Sequence, residues 1–137
     1  MQQPADLGTV LLVDDYLPLL RNMAFLLELT GFHALTATNG AEALALMEAQ
    51  TPDLIISDIE MPLMNGFEFL STVRADARWQ STPFILASAH YELDDVLHSL
   101  DLGADDYVPK PFDIYDVLDS IHRTAPFVAA HSHPIAS

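Results

Sequence analysis

Five short apolar runs, each followed by a stretch with helical spacing, constrain this chain more than any other feature. The first, Thr9-Val10-Leu11-Leu12-Val13, is β-rich and apolar, as a strand buried on both faces would be. Pro18 can open the next helix, where Leu20, Met23, Ala24 and Leu27 recur at helical spacing before Gly31 closes it. His33 to Thr38 reads as a second strand, and Asn39-Gly40 as a turn into a helix over 41–50. Asp53 to Asp58 is a third buried strand, 61–65 a loop containing Pro62, and 66 to about 79 a helix. Pro83 to Ser88 is the fourth strand, 91–102 a helix stopped by Gly103, and 106–108 a brief fifth strand. Asp113 is a good N-cap for a last helix running to about Thr124. Strict alternation of this kind predicts an α/β fold with a parallel sheet covered on both sides.

Composition narrows the partners. The 137 residues suit one domain, expected over 8–124, between a flexible N-terminus at 1–7 and a tail or linker at 125–137. The formal charge of −15 opposes a nucleic-acid backbone and an anionic membrane alike, and the four arginines form no run. No apolar run reaches membrane-spanning length, and the start lacks the features of a secretory signal. With no cysteine, disulfide and thiolate-metal chemistry is excluded, which leaves a cytoplasmic location as the expectation. His131 and His133 in the tail are too few ligands to define a metal site.

The strand ends carry the chemistry. In a parallel α/β sheet, ligands bind beyond the carboxyl ends of the strands, where strand order reverses. Asp14 and Asp15 follow the first strand, Asp58 ends the third, Ser88 ends the fourth and Lys110 follows the fifth. The alternation therefore brings all five to one edge. Lys110 is the only lysine, a scarcity that makes its place between Pro109 and Pro111 notable. Converging carboxylates demand a counter-ion, and hard oxygen ligands with room for water favour Mg²⁺.

These residues sit in four segments: Leu11-Leu12-Val13-Asp14-Asp15, Asp58-Ile59-Glu60-Met61-Pro62-Leu63-Met64-Asn65-Gly66, Ala87-Ser88-Ala89, and Gly103 to Phe112. In that order and at those intervals, the chain resembles the receiver domain of two-component response regulators over about residues 9–124. The resemblance implies the flavodoxin-like sheet, order 2-1-3-4-5. It implies that Asp58 accepts a phosphoryl group from a histidine of a sensor kinase or phosphotransfer protein. Asp15 and Asp58 would hold Mg²⁺ directly with the backbone carbonyl of Glu60, and Asp14 through water. Lys110 would pair with Asp58 before transfer and with the phosphoryl oxygens after it. Ser88 and the backbone N–H of Ala89 would take the remaining oxygens, and the Lys110–Pro111 bond would be cis.

The implied output is a switch. Ser88 and Tyr107 hold the positions whose coupled movement biases the face made by the fourth helix, fifth strand and fifth helix, which binds a downstream protein. Glu60 and His90 flank the expected path of hydrolytic water and would tune the phosphoryl lifetime. The output face is acidic, with Glu92, Asp94, Asp95, Asp101, Asp113, Asp116 and Asp119 against Arg123. That balance predicts a basic partner or a dimer contact elsewhere. The domain would be a stand-alone receiver or part of a larger regulator or hybrid kinase. The alternative is a Mg²⁺-dependent phosphohydrolase with an aspartyl nucleophile, disfavoured by the adjacent rather than alternate acids of the first strand.

Overall fold

A strand sends alternate residues to opposite faces, so an all-apolar strand needs cover on both. The computed structural model, which describes residues 7–89 and 92–125, provides it. Its elements are β1 (Thr9–Val13), α1 (Leu17–Leu29), β2 (His33–Ala37), α2 (Gly40–Ala49), β3 (Leu54–Asp58), α3 (Gly66–Ala75), β4 (Phe84–Ser88), α4 (Leu93–Asp101), β5 (Asp106–Pro109) and α5 (Ile114–Thr124). The strands form one parallel sheet in the order β2-β1-β3-β4-β5, as expected. Val10 and Leu12 face a core with Leu20, Met23 and Leu27 of α1 and Val117 and Ile121 of α5. Leu11 and Val13 face the other, with Ala43 and Met47 of α2 and Phe69, Leu70 and Val73 of α3. Full burial of each large apolar side chain contributes about 1.5–3 kcal/mol, so both layers stabilise the sheet. Among the described residues no helix is long and apolar enough to cross a membrane.

Most element bounds fall within a residue or two of expectation. One does not. The third helix was expected to reach about Trp79, but α3 stops at Ala75. The Asp76 carboxylate accepts the Arg78 N–H at 2.8 Å, a local bond that competes with continuing the helix. Trp79 then enters the α2–α3 core from a turn, only 3% exposed, with the Arg78 guanidinium 4.1 Å from its ring centre. Asp113 caps α5 as expected, in a reciprocal capping box with Asp116. Asn39 is a helix cap as well as a turn residue, since its side chain accepts from the Glu42 N–H at 2.8 Å. His90, His131 and His133 lie outside the described residues.

Candidate functional site: an acidic pocket at the sheet switch point

The connections after β1 and β3 leave in opposite directions along the sheet, because β1 lies between β2 and β3. That reversal opens a crevice at the carboxyl edge of the two strands. Asp14 and Asp58 stand there, 7% and 8% exposed, while Asp15 is exposed beside them. Carboxylate oxygens of Asp14, Asp15 and Asp58 all lie within 4.8 Å of one another. This all-oxygen set fits a hard divalent cation. Glu60 is exposed in the β3–α3 loop and lies outside this carboxylate cluster; the expected contribution was its backbone carbonyl.

Lys110 reaches into the cluster from the end of β5. Its N–H donates to the Ser88 carbonyl at 2.8 Å, which ties the end of β5 to the end of β4. The Lys110–Pro111 peptide is cis, as expected. The ammonium contacts Asp14 Oδ2 at 2.7 Å and Asp58 Oδ1 at 3.3 Å. Pairing with Asp58 was expected, but the closer partner is Asp14, so the cation is shared. Burial alone pushes the ammonium down, yet the Asp14 hydrogen bond and both carboxylate charges outweigh it and raise its pKa. Burial pushes the Asp58 carboxyl up to about 6, with Lys110 opposing and the Asp14 charge adding to the rise.

Two further expected parts, Ser88 and Tyr107, lie on the adjacent strands β4 and β5. Ser88 is buried at the end of β4, beside β5, which carries Tyr107. Tyr107 is 8% exposed and packs in the α2–α3 layer, where burial raises its pKa. Gly66 matters for a different reason. A Cβ there would meet the Asp58 carbonyl oxygen at 2.3 Å, so α3 can start this close to Asp58 only from glycine. The Gly66 N–H donates to the Ile59 carbonyl at 2.7 Å and locks the loop that leaves Asp58.

Sequence reasoning missed the rest of the pocket wall. Tyr16, Leu19, Pro111 and Phe112 line it with Asp14, Asp15, Asp58, Ala89 and Lys110. The available signal was position alone: Tyr16 directly follows the acid pair, and Phe112 is two residues past the lysine.

An acidic crevice with one half-buried ammonium, at the switch point of a 2-1-3-4-5 sheet, defines a phosphoacceptor-type signalling domain. A family model described as the response regulator receiver domain matches residues 10–122, and the chain belongs to that family. It is 38% identical over 109 residues to the transcriptional regulatory protein KdpE of Mycobacterium tuberculosis, a match covering 80% of this chain and 47% of KdpE. The chain thus spans about half the length of that relative. Among solved structures, chemotaxis response regulator CheY4 of Vibrio cholerae aligns with TM-score 0.80 and 32% identity, covering 85% of this chain and 97% of that one. The receiver domain of a Syntrophus aciditrophicus signal transduction histidine kinase aligns with TM-score 0.74 and 32% identity, covering 90% and 89%. The domain is therefore a phosphoacceptor module of two-component signal transduction, and the phosphohydrolase alternative gains no support.

Proposed function

We propose that Asp58 is the phosphoryl acceptor and that Lys110, Ser88 and the Ala89 N–H hold the transferred group. The shared ammonium, 2.7 Å from Asp14 and 3.3 Å from Asp58, is the observation that carries this reading. Phosphoryl transfer depends on alignment and on positive charge at the phosphoryl oxygens. An Asp58 oxygen bonds phosphorus as the P–N bond of a phosphohistidine breaks, and the bond pair leaves on the imidazole nitrogen. The ammonium turns from the carboxylate to the new phosphoryl oxygens. Asp15 and Asp58, with the Glu60 carbonyl, would hold Mg²⁺ directly and Asp14 would hold it through water. When bound, the ion supplies charge neutralisation for the phosphoryl oxygens.

Ser88 and Tyr107 form the switch in this reading, supported by the burial of both on the paired strands β4 and β5. The output surface is the face of α4, β5 and α5. Its one arginine, Arg123, is engaged by Asp106 at 2.7 Å and by Asp119, while Leu93, Leu97 and Leu100 of α4 are exposed. A face rich in acids and apolar side chains, with its arginine already paired, suits a basic protein partner or a dimer contact elsewhere. We place the receiver over 8–124 with 125–137 as tail or linker; the buried Leu7 and Ala125 extend the core one residue on each side. The proposed location is cytoplasmic, and the proposed upstream partner is a sensor histidine kinase or phosphotransfer protein. Dephosphorylation would proceed in the same pocket by water attack, with Glu60 and His90 setting its pace.

Incubation with a small phosphodonor or beryllofluoride tests the acceptor role. A Mg²⁺-dependent change in mass or spectrum that disappears in Asp58→Asn is expected; an unresponsive wild type would sink the reading.

A further inference from the structure

The pocket beside Asp58 has a polar floor and an apolar wall, and the acceptor chemistry uses only the floor. Its volume is about 420 Å³, within the range of small-molecule pockets and ample for a ring beside a phosphoryl group. The wall is Tyr16, Leu19, Pro111 and Phe112. Tyr16 is pinned at both ends of its backbone. Its N–H donates to Asp14 Oδ1 at 2.9 Å, and its carbonyl accepts from the Leu20 N–H at 3.1 Å, which starts α1. Its side chain makes no helix-cap bond and is 62% exposed, so neither capping nor core packing accounts for an aromatic here. Phe112 is half-buried and anchored among the α1–α5 core residues, which gives the wall a fixed side.

We propose that Tyr16 seats the aromatic ring of the incoming phosphodonor, so that this pocket selects ring-bearing nitrogen donors over ringless ones. This rests on the acceptor role of Asp58 and adds donor selection to it. As an Asp58 oxygen bonds phosphorus, the P–N bond breaks and its electron pair goes to the ring nitrogen. An imidazole protonated on its other nitrogen then leaves as the neutral base, so charge and protons balance. Before transfer that ring is cationic, and the face of a tyrosine attracts it both as a ring and as a cation. Leu19 and Phe112 exclude water from the ring's other contacts.

The test compares two P–N donors that differ in the ring, N-phosphoimidazole and phosphoramidate, on the full chain in Mg²⁺ buffer. Second-order rate constants for phosphorylation are read by intact mass in wild type, Tyr16→Ala and Tyr16→Phe. The ratio of the ring donor's rate to the ringless donor's is expected to fall about threefold to tenfold in Tyr16→Ala, the span of one aromatic contact, and to recover in Tyr16→Phe. An unchanged ratio in Tyr16→Ala overturns the assignment of Tyr16 while leaving Asp58 as acceptor. A ratio in Tyr16→Phe as low as in Tyr16→Ala also overturns it, because the hydroxyl rather than the ring would then be acting. Wild type that takes a phosphoryl group from neither donor overturns both the acceptor role and this inference.

Discussion

Burial raises the Asp58 carboxyl from 3.8 to about 6, against the pull of Lys110. In the folded state it therefore binds a proton over a pH range where the unfolded chain has already lost it. Stability contributed by that proton is present at low pH and is lost as pH rises through about 6. At neutral pH the carboxylate is a cost to folding, kept for its chemistry. Asp58→Asn should then stabilise the protein at pH 7.5 by roughly 1–3 kcal/mol. Urea unfolding should show the gain shrinking toward zero as pH falls to about 4; a gain that grows with acidity would contradict the account. Lys110 gives the complementary case. Removing a cation 3.3 Å from Asp58 should admit a divalent ion more easily, so Lys110→Ala should bind Mg²⁺ about tenfold more tightly by calorimetry. The same variant should lose the Tyr107 response to phosphorylation. Weaker Mg²⁺ binding in Lys110→Ala would mean that the lysine organises the carboxylates rather than neutralising them.

At the scale of elements, the β3–α3 connection carries the tightest constraint. Gly66 approaches the Asp58 carbonyl so closely that an added Cβ would sit 2.3 Å from its oxygen. Backbone must move to admit it. Gly66→Ala should therefore cost about 1–3 kcal/mol in thermal or urea unfolding and slow phosphorylation of Asp58 as well. Loss of stability with unchanged phosphorylation would detach the loop from the site. The same connection shows what was readable beforehand. The strands ending in Asp58 and Ser88 and the lysine after β5 were legible, because alternation of strand and helix fixes which edge they share. The end of α3 was not. Trp79 satisfies helical spacing, yet the Asp76–Arg78 bond ends the helix and delivers the same ring to the same core by another path.

Across the whole molecule, charge is the least balanced quantity. Twenty acids face five basic side chains, and the paired cations among the described residues are Arg74, Arg78, Lys110 and Arg123. Self-repulsion of this size opposes the compact state and is screened by salt. Raising NaCl from about 10 mM to about 150 mM, which shortens the screening length from roughly 30 Å to roughly 8 Å, should raise the melting temperature. A fall would show that the few ion pairs matter more than the surplus acids.

What could be read from the residues alone was periodic and local: five strands, the helices between them, the turn at Asn39-Gly40, the cap at Asp113, and the acids, hydroxyl and amine at strand ends. Those follow from side-chain spacing and backbone chemistry, which act over a few residues. Three matters waited for the folded chain. One is the division of the Lys110 ammonium between Asp14 and Asp58, which depends on ångström differences across residues far apart in sequence. Another is the burial of both Ser88 and Tyr107 on the neighbouring strands β4 and β5. The third is the apolar wall led by Tyr16, whose neighbours Leu19, Pro111 and Phe112 come from α1 and the β5–α5 connection by way of the fold. Distance and burial between remote segments set these, and no spacing along the chain encodes them.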